Sequence, residues 1–120
     1  MEQNKEKSLI KKKTYEFALR IVDLYRMLIS ANEYVLSKQL LKAGTSIGAN
    51  VEEATGAFSK REFTYKMGIA LKEAREANYW LRLIKASNLD CGDELDYLLG
   101  ESEELRRILT SIVKTSKGNK

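Results

Sequence analysis

Between Arg61 and Arg82, seven residues recur at steps of four and three: Arg61, Tyr65, Gly68, Lys72, Arg75, Tyr79 and Arg82. On a helix that spacing aligns them as one stripe, with four cations interleaved with two aromatic rings. Guanidinium and ammonium groups neutralise phosphates and a tyrosine ring stacks on a base, so the pattern suits sequence-tolerant binding of RNA or DNA. The same stripe is equally able to grip carboxylates. Residues 89–111 supply them, with Asp90, Asp93, Glu94, Asp96, Glu101, Glu103 and Glu104 against two cations. Charge pairing within the chain or between copies, nucleic acid, and plain solvation are therefore the readings open to it.

Tyr79-Trp80-Leu81 spreads three large side chains around one helical turn, more than a single core can take. Leu81 belongs to an apolar seam, which leaves Tyr79 and Trp80 to anchor an interface, and a homo-oligomer is expected. In the preceding segment Asn50 interrupts an apolar row. Glu53 follows one turn on, and Glu73 and Glu76 lie on the next segment. A buried amide left unpaired costs about 1–3 kcal/mol, so these residues are expected to begin a polar network that sets register between helices. Catalysis by paired carboxylates is the sharper alternative, but no nucleophile, metal set or phosphate loop accompanies it. Gly44 and Gly48 each cost about 1 kcal/mol relative to Ala inside a helix. They are expected to let their helix approach Ala70, Ala74 and Ala77, or a neighbouring subunit.

The chain that carries these residues has 120 positions, 43% of them hydrophobic, and a mean hydropathy of −0.40, which fits one domain without a membrane span. Histidine is absent and cysteine occurs once, so Ser-His-Asp triads, Cys-His dyads, metal sites built on His or paired Cys, and disulfides are excluded. A non-enzymatic protein with no metal and no other cofactor is expected. The net charge of +4 is too small to name a partner. Its distribution says more: residues 1–13 hold five Lys and two Glu, and residues 114–120 hold three Lys. Both ends read as basic tails flanking a domain at 14–113. No N-terminal stretch pairs a basic region with a long apolar run and a cleavage site, so a cytoplasmic protein is expected, in keeping with the lone Cys91.

Proline is absent, so breaks are read from small polar clusters near Ser30-Ala31-Asn32, Ala57-Phe58-Ser59 and Ser87-Asn88 through Gly92. Between them apolar residues recur at alternating steps of three and four. The seams run Phe17, Ile21, Leu24, Leu28; then Leu40, Ala43, Ile47, Asn50, Ala54, flanked by Gly44, Gly48, Val51 and Phe58. The third runs Phe63, Met67, Ala70, Ala74, Ala77, Leu81, Ile84 and the fourth Leu95, Leu98, Ser102, Leu105, Leu109, Ile112. Ser59 with Glu62 forms a capping-box pattern, and acids at 90, 93 and 94 suit the positive end of the fourth helix dipole. Glu62 with Lys66 and Glu103 with Arg107 have ion-pair spacing. Matched helices on short connections give an all-α, antiparallel up-down-up-down four-helix bundle, and the opposed charges of segments three and four favour their pairing.

Thr45-Ser46-Ile47-Gly48-Ala49-Asn50-Val51-Glu52-Glu53-Ala54, then Glu62-Phe63, Met67 through Ala74 and Tyr79-Trp80-Leu81-Arg82-Leu83 together resemble the bacterial four-helix-bundle family encoded by 23S ribosomal RNA intervening sequences. The likeness extends over roughly residues 14 to 113. It implies an antiparallel bundle, pentameric assembly in close relatives, and kinship with accessory proteins of diversity-generating retroelements, which bind nucleic acid and a reverse transcriptase. Ser46, Asn50 and Glu53 match that family's helix-two signature, and Glu73, Tyr79 and Trp80 its helix-three signature. The acidic fourth helix and small net charge depart from the retroelement relatives. A homo-oligomeric binding or assembly protein, with RNA or DNA docked on Arg61, Tyr65, Lys72, Arg75, Tyr79 and Arg82, is the expectation. A scaffold whose stripe is consumed by subunit contacts is its rival.

Overall fold

A computed structural model describes residues 2–89 and 91–118. The apolar seams emerge as four helices: α1 (Glu2–Ser30), α2 (Val35–Thr55), α3 (Lys60–Ala86) and α4 (Asp93–Gly118), with no strand among the described residues. The breaks fall where the polar clusters stand. Asn32 and Asn88 take the left-handed backbone conformation, at φ 66° and 64°, which Asn tolerates better than most residues. Ser59 caps α3, its hydroxyl accepting from the Glu62 N–H at 3.0 Å. The Glu62 carboxylate in turn accepts from the N–H of Phe58, one residue before the position a capping box uses. At α2 the cap is Glu33, whose carboxylate takes the N–H groups of Val35, Leu36 and Ser37.

Contacts between distant segments fix the topology. Lys11 of α1 meets Glu52 of α2, Lys66 of α3 meets Glu53 of α2, and Lys85 of α3 meets Asp96 of α4, each joining the start of one helix to the end of its neighbour. Arg20 on Glu94 closes α1 against α4. The helices run up, down, up and down around a square, with no close backbone approach across its diagonals among the described residues. The bundle measures 48 × 20 × 19 Å, the long axis matching helices of 26–29 residues at about 1.5 Å each. Phe17, Ile21, Leu24 and Leu28 meet Met67, Ala70, Ala74, Leu81, Leu98, Leu105 and Leu109 in its core. Each large apolar side chain buried there contributes about 1.5–3 kcal/mol.

Four expectations need correction. Residues 2–13 are not a tail: α1 begins at Glu2, Ile10 is fully buried and Lys13 pairs across to α4. The basic residues mask a buried helical row, Ile10, Thr14, Phe17, that continues the seam two turns earlier. At the other end α4 continues through Lys114 and Lys117 to Gly118, and the Ser116 and Thr64 hydroxyls hydrogen-bond. Gly44 and Gly48 face α1 and not α3. A Cβ on Gly44 would stand 2.8 Å from Ile21 Cγ1, and one on Gly48 3.3 Å from the Thr14 carbonyl oxygen. Phe58, expected beside an apolar seam, is fully exposed, because the helix ends before reaching it. Asp90 and the last two residues of the C-terminal basic run lie outside the described residues.

Candidate nucleic-acid interface

α3 turns its Met67, Ala70, Ala74, Ala77, Leu81 and Ile84 side inward and the opposite side to solvent. Arg61, Tyr65, Lys72, Arg75, Tyr79 and Arg82 are all exposed, Tyr65 at 66% and Tyr79 at 48%. From Arg61 to Arg82 the stripe spans about 32 Å at helical rise. At its centre Gly68 is open, with no heavy atom of another residue within 4 Å of where a Cβ would stand, its helix's own backbone and chain neighbours aside.

The acids of α4 find their partners elsewhere. Lys13 of α1 lies 2.6 Å from Glu104 and 3.8 Å from Glu101; the Glu104 hydrogen bond is the main reason its ammonium titrates above its ordinary value, against the opposing effect of burial. Arg20 takes Glu94 at 3.4 Å and lies over the Tyr97 ring at 4.0 Å. Lys85 takes Asp96, and Arg106 takes Glu103 three residues back, in place of the Glu103–Arg107 pair the spacing suggests. Lys66 likewise leaves Glu62 for Glu53 of α2, at 2.7 Å. Arg61, Lys72 and Arg75 form no ion pair among the described residues. Opposed charges join α3 to α4 through Lys85 and Asp96, while α4 spends most of its acids on α1 and on itself.

α3 and α4 are also joined by a polar knot centred on Asn78, a residue that spacing did not pick out. Asn78 is buried, and its amide donates to the Ser102 hydroxyl at 2.9 Å and to the Glu103 carboxylate at 3.1 Å. Its carbonyl accepts from Arg82 Nε at 2.9 Å. Arg82, expected to meet phosphate, is thus tied back by one nitrogen, its guanidinium 5.7 Å from the Tyr79 ring. Ser102 inside the fourth seam was the sequence signal for this knot: its hydroxyl donates to the Leu99 carbonyl of its own helix and has a lone pair left for the Asn78 amide.

A scan against family models matches residues 6–111 to the 23S rRNA-intervening sequence protein model. The chain belongs to the 23S rRNA-intervening sequence protein family. It is also similar, with a TM-score of 0.86 and 43% identity over 91% of this chain and 98% of the other, to a crystal structure from Bacteroides thetaiotaomicron, a protein of unknown function from the S23 ribosomal protein family. No curated protein matches. The span shared with the intervening-sequence family takes in the whole α3 stripe and the early part of α1 that reads as a tail.

In this family member Ser46, Asn50, Glu53 and Glu73 do not form one buried network. Ser46 Oγ donates to the Lys42 carbonyl and Asn50 Nδ2 to the Ser46 carbonyl, both along α2, and Glu53 is exposed on Lys66. Asn50 sits at the rim of the core, where its own helix satisfies it. Glu73 is half-buried; burial first, then the neighbouring Glu76 charge, pushes its carboxyl above the ordinary range, against Lys72 and Lys42. Trp80 packs half-buried against the core with its Nε1 sealed from solvent and without an acceptor among the described residues. Tyr79 stands edge-on to it at 5.1 Å and 73°. Of these two rings, Tyr79 is the exposed one. No group of three or more Cys, Asp or Glu able to hold a metal occurs among the described residues.

Proposed function

We propose that this chain is a non-enzymatic, homo-oligomeric binding protein that holds RNA or DNA along α3. The observation that carries the reading is the contrast on its surface: acids of α4 are neutralised by Lys13, Arg20, Lys85 and Arg106, whereas Arg61, Lys72 and Arg75 have no ion-pair partner among the described residues and stand on one exposed line with Tyr65 and Tyr79. Phosphates would meet the three cations and the free nitrogens of Arg82, and bases would stack on the two rings, a chemistry indifferent to sequence. Assembly, with five copies as the family resemblance implies, is supported by Tyr79 beside Trp80 and by the outer side of α1. There Tyr15, Leu19 and Met27 leave apolar surface in water.

Salt titration tests the reading. Log affinity for an RNA or DNA oligonucleotide should fall steeply with log salt, and no binding at about 50 mM salt would sink it. Light scattering tests assembly: a mass of several 13.7 kDa chains is expected, reduced by Trp80→Ala. Charge reversal at Lys72 and Arg75 that lowers the mass and leaves nucleic-acid affinity untouched would hand the stripe to subunit contacts, making the protein a scaffold.

A further inference from the structure

At the end of the bundle where α3 begins, a groove of about 520 Å³ opens between the start of α1, the α2–α3 turn and the end of α4. Phe58 forms one wall and is 101% exposed, the largest apolar side chain that the fold leaves wholly in water. Phe63 lines the groove more deeply, with the Lys7 ammonium 4.7 Å over its ring. Lys60 and Ser116 border this groove and also a shallower shelf that holds Arg61 and Tyr65, the first two residues of the exposed α3 stripe. Groove and stripe are therefore one continuous surface.

We infer that the groove takes an unpaired base of a single-stranded RNA or DNA segment whose phosphates run along α3, an assignment that rests on the nucleic-acid reading of the stripe. The exposed ring of Phe58 decides which part of the strand enters. Phe58 offers an uncovered ring to a base, whereas Phe63 is packed on the core beneath the Lys7 ammonium and closes the floor; Lys60 and Arg61 hold the phosphate at the mouth. The volume lies within the range of small-ligand sites. A base inside a duplex is stacked on both sides and cannot enter without being flipped out, so the groove selects single strands where the stripe alone accepts either form.

The experiment compares a single strand of about 16 nucleotides, near the upper limit for one single-strand module, with a blunt duplex of the same length. Phe58→Ala is expected to weaken the single strand about tenfold and to leave duplex affinity and both salt slopes unchanged, since no charge is removed. Phe58→Trp is expected to add fluorescence that the single strand quenches and the duplex does not. Phe58 touches no core residue that its loss would disturb, and an unchanged thermal midpoint checks this. Unchanged single-strand affinity in Phe58→Ala, while Lys72→Glu with Arg75→Glu still abolishes binding, overturns the groove and leaves the stripe standing. Equal losses on single strand and duplex also overturn it. Wild-type protein that binds neither probe overturns the stripe, and the groove with it.

Discussion

Two sets of cations on this bundle have the same chemistry and opposite fates. Lys13 and Arg20 of α1 stand level with carboxylates of α4 and are consumed by them; Arg61, Lys72 and Arg75 of α3 stand on a side that no other helix covers. Charge blocks read along the chain suggest that basic α3 should neutralise acidic α4. Geometry grants this only to Lys85, which meets Asp96; the side of α3 that meets α4 is its Asn78 side, and Arg61, Lys72 and Arg75 lie on the outer one. Ion pairs go to whichever helix is adjacent at the right height.

The largest way to break that contrast is Lys72→Glu with Arg75→Glu. Removing two phosphate contacts should lower the slope of log affinity against log salt by about 1.8 and cut affinity at least tenfold at low salt, while the thermal midpoint holds within a degree or two. A large loss of stability instead would mean that the stripe is built into the fold. Gly44→Ala asks whether α1 is held by shape as well as by charge. The new methyl would crowd the fully buried Ile21, and a net loss of about 1–2 kcal/mol is expected by denaturant titration, despite better helix propensity. Asn78→Ala leaves Ser102 without its amide partner and frees Arg82; a cost of about 1–2 kcal/mol is expected, with nucleic-acid affinity retained or slightly raised.

Smaller effects sharpen the paired side. Lys13→Met should cost up to about 1 kcal/mol at neutral pH. The folded-state value of Lys13 is raised, so its contribution is complete below its ordinary value of 10.5 and fades above it; variant and parent should converge in alkali. Glu73 runs the other way. Its raised carboxyl favours the folded state only when protonated, so Glu73→Gln should raise the thermal midpoint slightly at neutral pH and give no advantage below the ordinary value of 4.5.

Period was the most legible property of the chain. Apart from Asn50 and Phe63, which are only partly buried, the four seams named by spacing lie in the core, down to Ser102 at the fourth, and the exposed stripe is the complement of the third. Partnership was far less legible. Spacing states which side of a helix a residue occupies and not which helix lies against that side, so Gly44 and Gly48 were matched to the alanines of α3 when Ile21 and Thr14 receive them. Asn50 drew notice because it broke a row, whereas Asn78, one step off its own row, holds the bond across to Ser102. Composition also misled at the start of α1, where lysines surround Ile10 and obscure a turn that belongs to the core.

Gly68 stands midway along the exposed face of α3, and nothing packed against the helix requires it, although glycine weakens a helix interior by about 1 kcal/mol relative to alanine. Its bare position makes a waist in the rod, about 10 Å long between the side chains of Tyr65 and Lys72. A strand lying there would rest on main chain, nearer the helix axis than anywhere else on that face, and would have to bend around the flanking rings to do so.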